Sequence, residues 1–306
     1  MTKRAAVLIL TGIFTMVVSC EAAPPRLLGD LAGGAAKALG ASDDVANAIS
    51  AGIGTFAESA AAANELTAEN EYYIGRAVAA NIAANYTVYN GNRNLQLYLN
   101  KICNAIVINS PRPDIWKGYH VAILDSREIN AFATPGGHIF VTRGLIACAD
   151  SEDALAAVIA HEVAHIQLQH GLTSIRNARY ISAAKDGILA GASAGTGVDA
   201  KALAGTLGDS VTEIVTTMVS NGYSKTQEFD ADKTALSLLA AAGYQPTSIL
   251  DVLQALQRNT VAGQGFGKTH PSPSERITQA NRNLQSYQVA DTREFRKRRY
   301  GAVPKT

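Results

Sequence analysis

His161-Glu162-Val163-Ala164-His165 decides the reading of this chain. The pentapeptide lies in an apolar-periodic run that Asp150-Ser151-Glu152-Asp153 opens with capping side chains and acids, and that closes before Gly171. Such signals mark both ends of a helix. Two His at i and i+4 project from one helix face, near enough for both imidazoles to hold one ion, with Glu162 beside them. The pattern reads as a zinc site, against the plainer alternative of a helix carrying satisfied surface His.

A catalytic zinc needs a further protein ligand and keeps one position open. Glu228, in Gln227-Glu228-Phe229-Asp230-Ala231-Asp232, is the best placed acid. It falls in the first turn of a helix to Ala242 that Ser224-Lys225-Thr226-Gln227 opens as a capping box. Asp232, at i+4 on the same face, is expected to accept a hydrogen bond from a ligand imidazole and fix its tautomer. The alternative is a solvated acidic face at a helix start. Glu162 is expected to act as the base, taking a proton from the attacking water and passing it to the leaving amine. His270 or Arg276 is expected to donate to the oxyanion, against readings as a loop His and a structural ion pair. Ser272-Pro273-Ser274-Glu275 fits a second capping box.

The 306 residues include 27 Lys and Arg against 26 Asp and Glu, and 47% are apolar. That composition is too apolar and too balanced in charge for a disordered chain, and no basic excess exists to hold nucleic acid. Lys3 and Arg4 precede an apolar run from Ala5 to Val18, shorter than the roughly 20 residues a spanning helix needs. It reads as an export signal over residues 1–19. Val17-Val18-Ser19-Cys20 resembles the lipobox of bacterial lipoproteins, so Cys20 is the expected lipidation site and the membrane anchor. Export makes a disulfide between Cys103 and Cys148 one reading, with two buried thiols as the other.

Residues 20–65 are rich in Ala and Gly and read as a tether with weak helices. Helices are expected around Ala68 to Tyr86 and Leu95 to Ser110. Short strands follow at His120 to Leu124, Asn130 to Ala133 and His138 to Thr142, the last two joined through Thr134-Pro135-Gly136-Gly137. Residues 181–222 read as a close-packed helical pair. The catalytic domain is expected over residues 66–290, with residues 291–306 a basic, solvated tail. His138 reads as a cross-strand surface residue and His170 as a helix C-terminal His favoured by the dipole.

The His161 to His165 motif, the Glu228 to Asp232 spacing, and Thr269-His270-Pro271 with Arg276 together resemble the gluzincin metallopeptidases of the CAAX prenyl endopeptidase and HtpX family. Ile129 to Gly144 is especially similar to the family's periplasmic lipoprotein members. The likeness covers about residues 66–285. It implies an α+β, mainly helical zincin-like domain with a small sheet beside the motif helix, and one Zn2+ held by His161, His165 and Glu228. It also implies that His270 can take the fourth zinc position and hold the enzyme latent. In zinc peptidases of this shape substrate adds as a strand to a sheet edge, here Asn130, Ala131, Phe132 and Ala133, against the alternative of an ordinary paired strand. The sequence shows neither later membrane spans nor helical repeats, which some members carry.

The function implied is a zinc metalloendopeptidase anchored on the periplasmic side of a bacterial envelope, at the outer membrane. Its partners would be misfolded or stalled envelope proteins and the outer-membrane assembly machinery. A chaperone or assembly factor with latent protease activity is the competing reading, and a structural zinc domain a weaker one.

Overall fold

The structure is a computed structural model that describes residues 67–173, 222–259, 270–287 and 289–303, with some helical positions between 30 and 51. The signal peptide, Cys20, most of the tether and the helical pair read at 181–222 lie outside the described residues, apart from Gly222. The chain divides into two units, residues 1–66 with 174–212 and residues 67–173 with 213–306. In the first, Lys37 and Asp43 form an exposed ion pair at 2.6 Å. The second unit carries every element named next. No described helix is long and apolar enough to cross a membrane.

Helix α1 spans Ala68–Asn85 and α2 spans Arg93–Val107. Asn92 caps α2 by accepting from Leu95 N–H, and Leu95, Leu99, Ile102 and Ile106 recur at helical spacing to bury one face. Strand β1 is His120–Leu124, β2 Ala131–Ala133 and β3 His138–Thr142. The sheet order is β1-β3-β2, with β1 parallel and β2 antiparallel to β3, so β2 is an edge among the described residues. A short turn at Pro135–Gly137 joins β2 to β3, with Gly136 at φ 71. A Cβ on Gly136 would meet the Tyr72 backbone at 2.5 Å, so the turn needs glycine for both conformation and contact with α1.

Helix α3 (Arg143–Cys148) leads into α4 (Glu152–Gln167), whose Ser151 cap accepts from Ala154 N–H. Every residue of α4 from Glu152 to Ile166 is buried. It runs through the core between β2, α2 and two later helices, α5 (Lys225–Ala241) and α6 (Ser248–Asn259). The predicted capping box at Ser224 and Gln227 is present on α5. Helix α7 (Pro273–Leu284) packs on α5 and α6. Its expected capping box is absent: Ser272 makes no cap bond, and Glu275 is drawn instead to Lys225 at 2.6 Å.

Two further expectations are corrected. Cys103 and Cys148 are free thiols, with no disulfide between them. Cys103 is buried inside α2, where burial pushes its thiol up to about 12 and it packs as a small apolar side chain. The basic tail is not a free coil: residues Arg293–Gly301 form helix α8 against the start of α4, burying Arg296 and Tyr300 while Arg293, Lys297, Arg298 and Arg299 stay exposed. Arg296 donates to both oxygens of Asp153 at 2.7 and 2.8 Å. Glu152 accepts from Arg299, from Tyr98 at 2.6 Å and from Tyr244 at 3.0 Å. Two acids in a buried first turn require such partners.

Because Asp153 and Arg296 are both buried, Arg296→Ala leaves a buried carboxylate without its cation. It is expected to cost about 3–5 kcal/mol in urea unfolding, with Arg296→Lys losing less.

Candidate active site

Helix α4 presents His161 and His165 one turn apart, their Nε2 atoms 3.1 Å from each other. The first turn of α5 brings Glu228 between them, at 3.5 Å from each Nε2. His270, just before α7, places its Nε2 3.7 Å from Glu228 Oε1. One donor atom from each of these four buried residues lies within 4.8 Å of all the others.

The group fits a zinc ion. Atoms each about 2.0–2.1 Å from one tetrahedral zinc stand about 3.3 Å apart, close to the 3.1 and 3.5 Å separations among His161, His165 and Glu228. Both Glu228 oxygens are buried and accept no hydrogen bond, an expensive state for a carboxylate unless a cation completes it. Protonation states agree. Burial, then the neighbouring cationic groups, hold His165 well below the usual histidine range. Burial lowers His270 to about 3 against the pull of Glu228. Glu228 stays ionised because His270, His161 and Arg276 outweigh its burial. Burial and Arg276 oppose charge on His161, yet Asp232 and Glu228 raise it to about 9, a sign that the pocket favours positive charge.

Around this set the orienting contacts are direct. His161 Nδ1 is 3.0 Å from Asp232 Oδ1, as the spacing on α5 predicts. Arg276 on α7 is buried and donates to both Asp232 oxygens at 2.8 and 2.7 Å, with Nη1 3.4 Å from Glu228 Oε2. Its guanidinium is thus committed to the carboxylates that position the ligands, unlike the expected donor to an oxyanion.

Two residues carry more than the sequence suggested. Gln169, at φ 53, turns the chain back after α4. His170 thereby reaches His165, with their Nδ1 atoms 2.8 Å apart. A hydrogen bond there fixes the tautomer that leaves His165 Nε2 free for metal. Tyr223, which sequence reasoning missed, stacks on His165 with ring centroids 4.1 Å apart and planes 16° from parallel. A Tyr just before a capping box carries no local signal of such a role.

Glu162 lines a small cavity together with Ala131, Phe132, Ala133, Tyr223 and His270. Its Oε1 is buried without a hydrogen-bond partner. Burial pushes its carboxyl up to about 7, with His161 opposing and Glu228 reinforcing.

The model of peptidase family M48 matches residues 92–283. This chain belongs to peptidase family M48. The family is zinc-dependent, and the matched region is a zinc metallopeptidase domain with the mainly helical, zincin-like fold and small sheet expected from the motifs. A Vibrio cholerae protein provisionally named beta-barrel assembly-enhancing protease is 28% identical over 233 residues, covering 74% of this chain and 46% of that protein. The mitochondrial metalloendopeptidase OMA1 of Schizosaccharomyces pombe is 31% identical over 196 residues, 63% of this chain and 54% of its own. The beta-barrel assembly-enhancing protease of Escherichia coli O157:H7 is 28% identical over 195 residues, 61% and 38% respectively. The chain therefore spans about half or less of the length of these relatives.

Asp232→Asn should weaken zinc binding about 10–100-fold by chelator competition, because His161 loses its anionic partner. Glu228→Gln should weaken it further, since a ligand is removed.

Proposed function

We propose that this M48 peptidase is a metalloendopeptidase that cleaves extended segments of misfolded or stalled proteins in a bacterial envelope, held there by a lipid on Cys20. One observation carries the reading: the unpartnered Oε1 of Glu162 and strand β2, an edge of the sheet among the described residues, line the same cavity beside the metal ligands. The names of the bacterial relatives support a role in outer-membrane protein assembly. The lipobox-like Val17 to Cys20 supports the anchor.

The chemistry divides among named groups. His161, His165 and Glu228 would hold the zinc, which when bound would supply Lewis-acid polarisation of the scissile carbonyl and acidification of the attacking water. Glu162 takes the proton from that water and delivers it to the leaving amine, a role that suits a carboxyl poised at about 7. Asp232, with Arg276 behind it, and His170 hold the two imidazoles in register. β2 orients the substrate backbone along the cavity, and His270, which lines the same cavity, steadies the developing oxyanion.

The position of His270 within ligand distance of Glu228 also favours a latent state, in which its imidazole occupies the open metal position. An assembly factor or chaperone with suppressed cleavage is the second reading that this geometry supports.

Zinc-loaded residues 21–306 are expected to cleave casein, and Glu162→Gln to lose at least about a hundredfold in rate while keeping its metal. His270→Ala should raise cleavage if that residue caps the metal. Lower activity with unchanged zinc content would assign it to the oxyanion instead.

A further inference from the structure

The outer edge of β2 can be read bond by bond. Thr134 N–H donates to His138 O at 2.9 Å and Thr142 N–H to Asn130 O at 3.1 Å, and Phe132 stands opposite Phe140. Bonded and unbonded pairs alternate in an antiparallel ladder. Residues 130, 132 and 134 therefore turn their backbone groups to β3, and Ala131 and Ala133 turn theirs to the free edge. Two of these outward groups are already engaged. Ala131 N–H donates to Asn130 Oδ1 at 3.0 Å, and Ala133 C=O accepts from Tyr223 O–H at 3.1 Å.

Tyr223 is well placed for that contact. Gly222, at φ 68, turns the chain immediately before it. The ring lies flat on His165, and the same residue walls the cavity that holds Glu162 and His270. A phenol O–H is a hydrogen-bond donor at neutral pH, and here it is directed at Ala133 O. A backbone N–H of an added strand would be a donor to Ala133 O in the same direction.

We propose that Tyr223 stands in the substrate's place: its hydroxyl fills, at Ala133 O, the hydrogen bond that an extended chain's backbone N–H makes, and an incoming strand must displace it. The inference rests on β2 being the substrate edge. A single hydroxyl is outcompeted by a ligand that pairs at several outward groups of the edge together, and poorly by one that reaches Ala133 alone. The arrangement selects for continuous extended backbone over folded surfaces and short turns. The displaced ring leaves the face of a metal ligand, so substrate entry and the setting of His165 are coupled.

The test is binding, with cleavage switched off. The zinc-loaded full chain carrying Glu162→Gln is titrated into fluorescently labelled, reduced and carboxymethylated casein, and anisotropy gives Kd. Adding Tyr223→Phe keeps the stacked ring and removes the donor; the expected result is about fivefold tighter binding with unchanged zinc content. Ala133→Pro, in the same background, deletes an outward N–H and spares the bonds to β3; it should weaken binding. If Tyr223→Phe binds equally or less tightly while Ala133→Pro weakens binding, the Tyr223 proposal is overturned and the edge reading stands. If Ala133→Pro has no effect, both are overturned. Should Ala133→Pro lose zinc, peptides N-methylated at successive backbone positions replace it, and indifference to every methyl overturns the edge reading.

Discussion

The structure depends on one burial: helix α4 is taken whole into the core although it carries acids at its start and three ionisable groups at its centre. An unpaired charge there is far more costly than the apolar surface it accompanies. Each surrounding element answers one part of that demand. Helix α8 brings Arg296 and Arg299 to Asp153 and Glu152. At the other end, Arg112 donates to Ile166 O at 3.1 Å and to buried Glu71 of α1 at 3.2 Å, so the last turn is tied to α1. The middle is answered by α5 and α7.

At that middle Glu228 and Asp232 face the guanidinium of Arg276 and the imidazole of His161, which keep them ionised against their burial. The orphaned Glu228 oxygens and the neutral His165 and His270 rings describe a place for a divalent cation, which would take over the balancing charge once His161 gives up its proton to bind it. Arg276 keeps the two carboxylates from repelling each other without taking both oxygens of Glu228 itself. The site is thus prepared for metal by the same electrostatics that let α4 be buried.

Much of this was legible in local sequence. The three strands, the ends of α4 and the capping box of α5 follow from spacing, caps and turn residues within a few positions of one another. The failures share a cause, competition from a residue distant in sequence. Glu275 fits a capping box but is taken by Lys225, 50 positions away. The Arg-rich tail looks solvated because its acids sit 143 and 147 positions upstream. His170 reads as a helix-end His because only the left-handed turn at Gln169 shows that it comes back to His165. Tyr223 has no local periodicity to betray its contact with Ala133, 90 positions earlier.

An edge strand can pair with copies of its own chain. Strand β2 limits that hazard by its size: it has three residues, and Pro135, which lacks an N–H, lies two positions beyond it. So short a ladder leaves little template for a growing sheet. The brevity of the edge sets a ceiling on crowding-driven self-assembly.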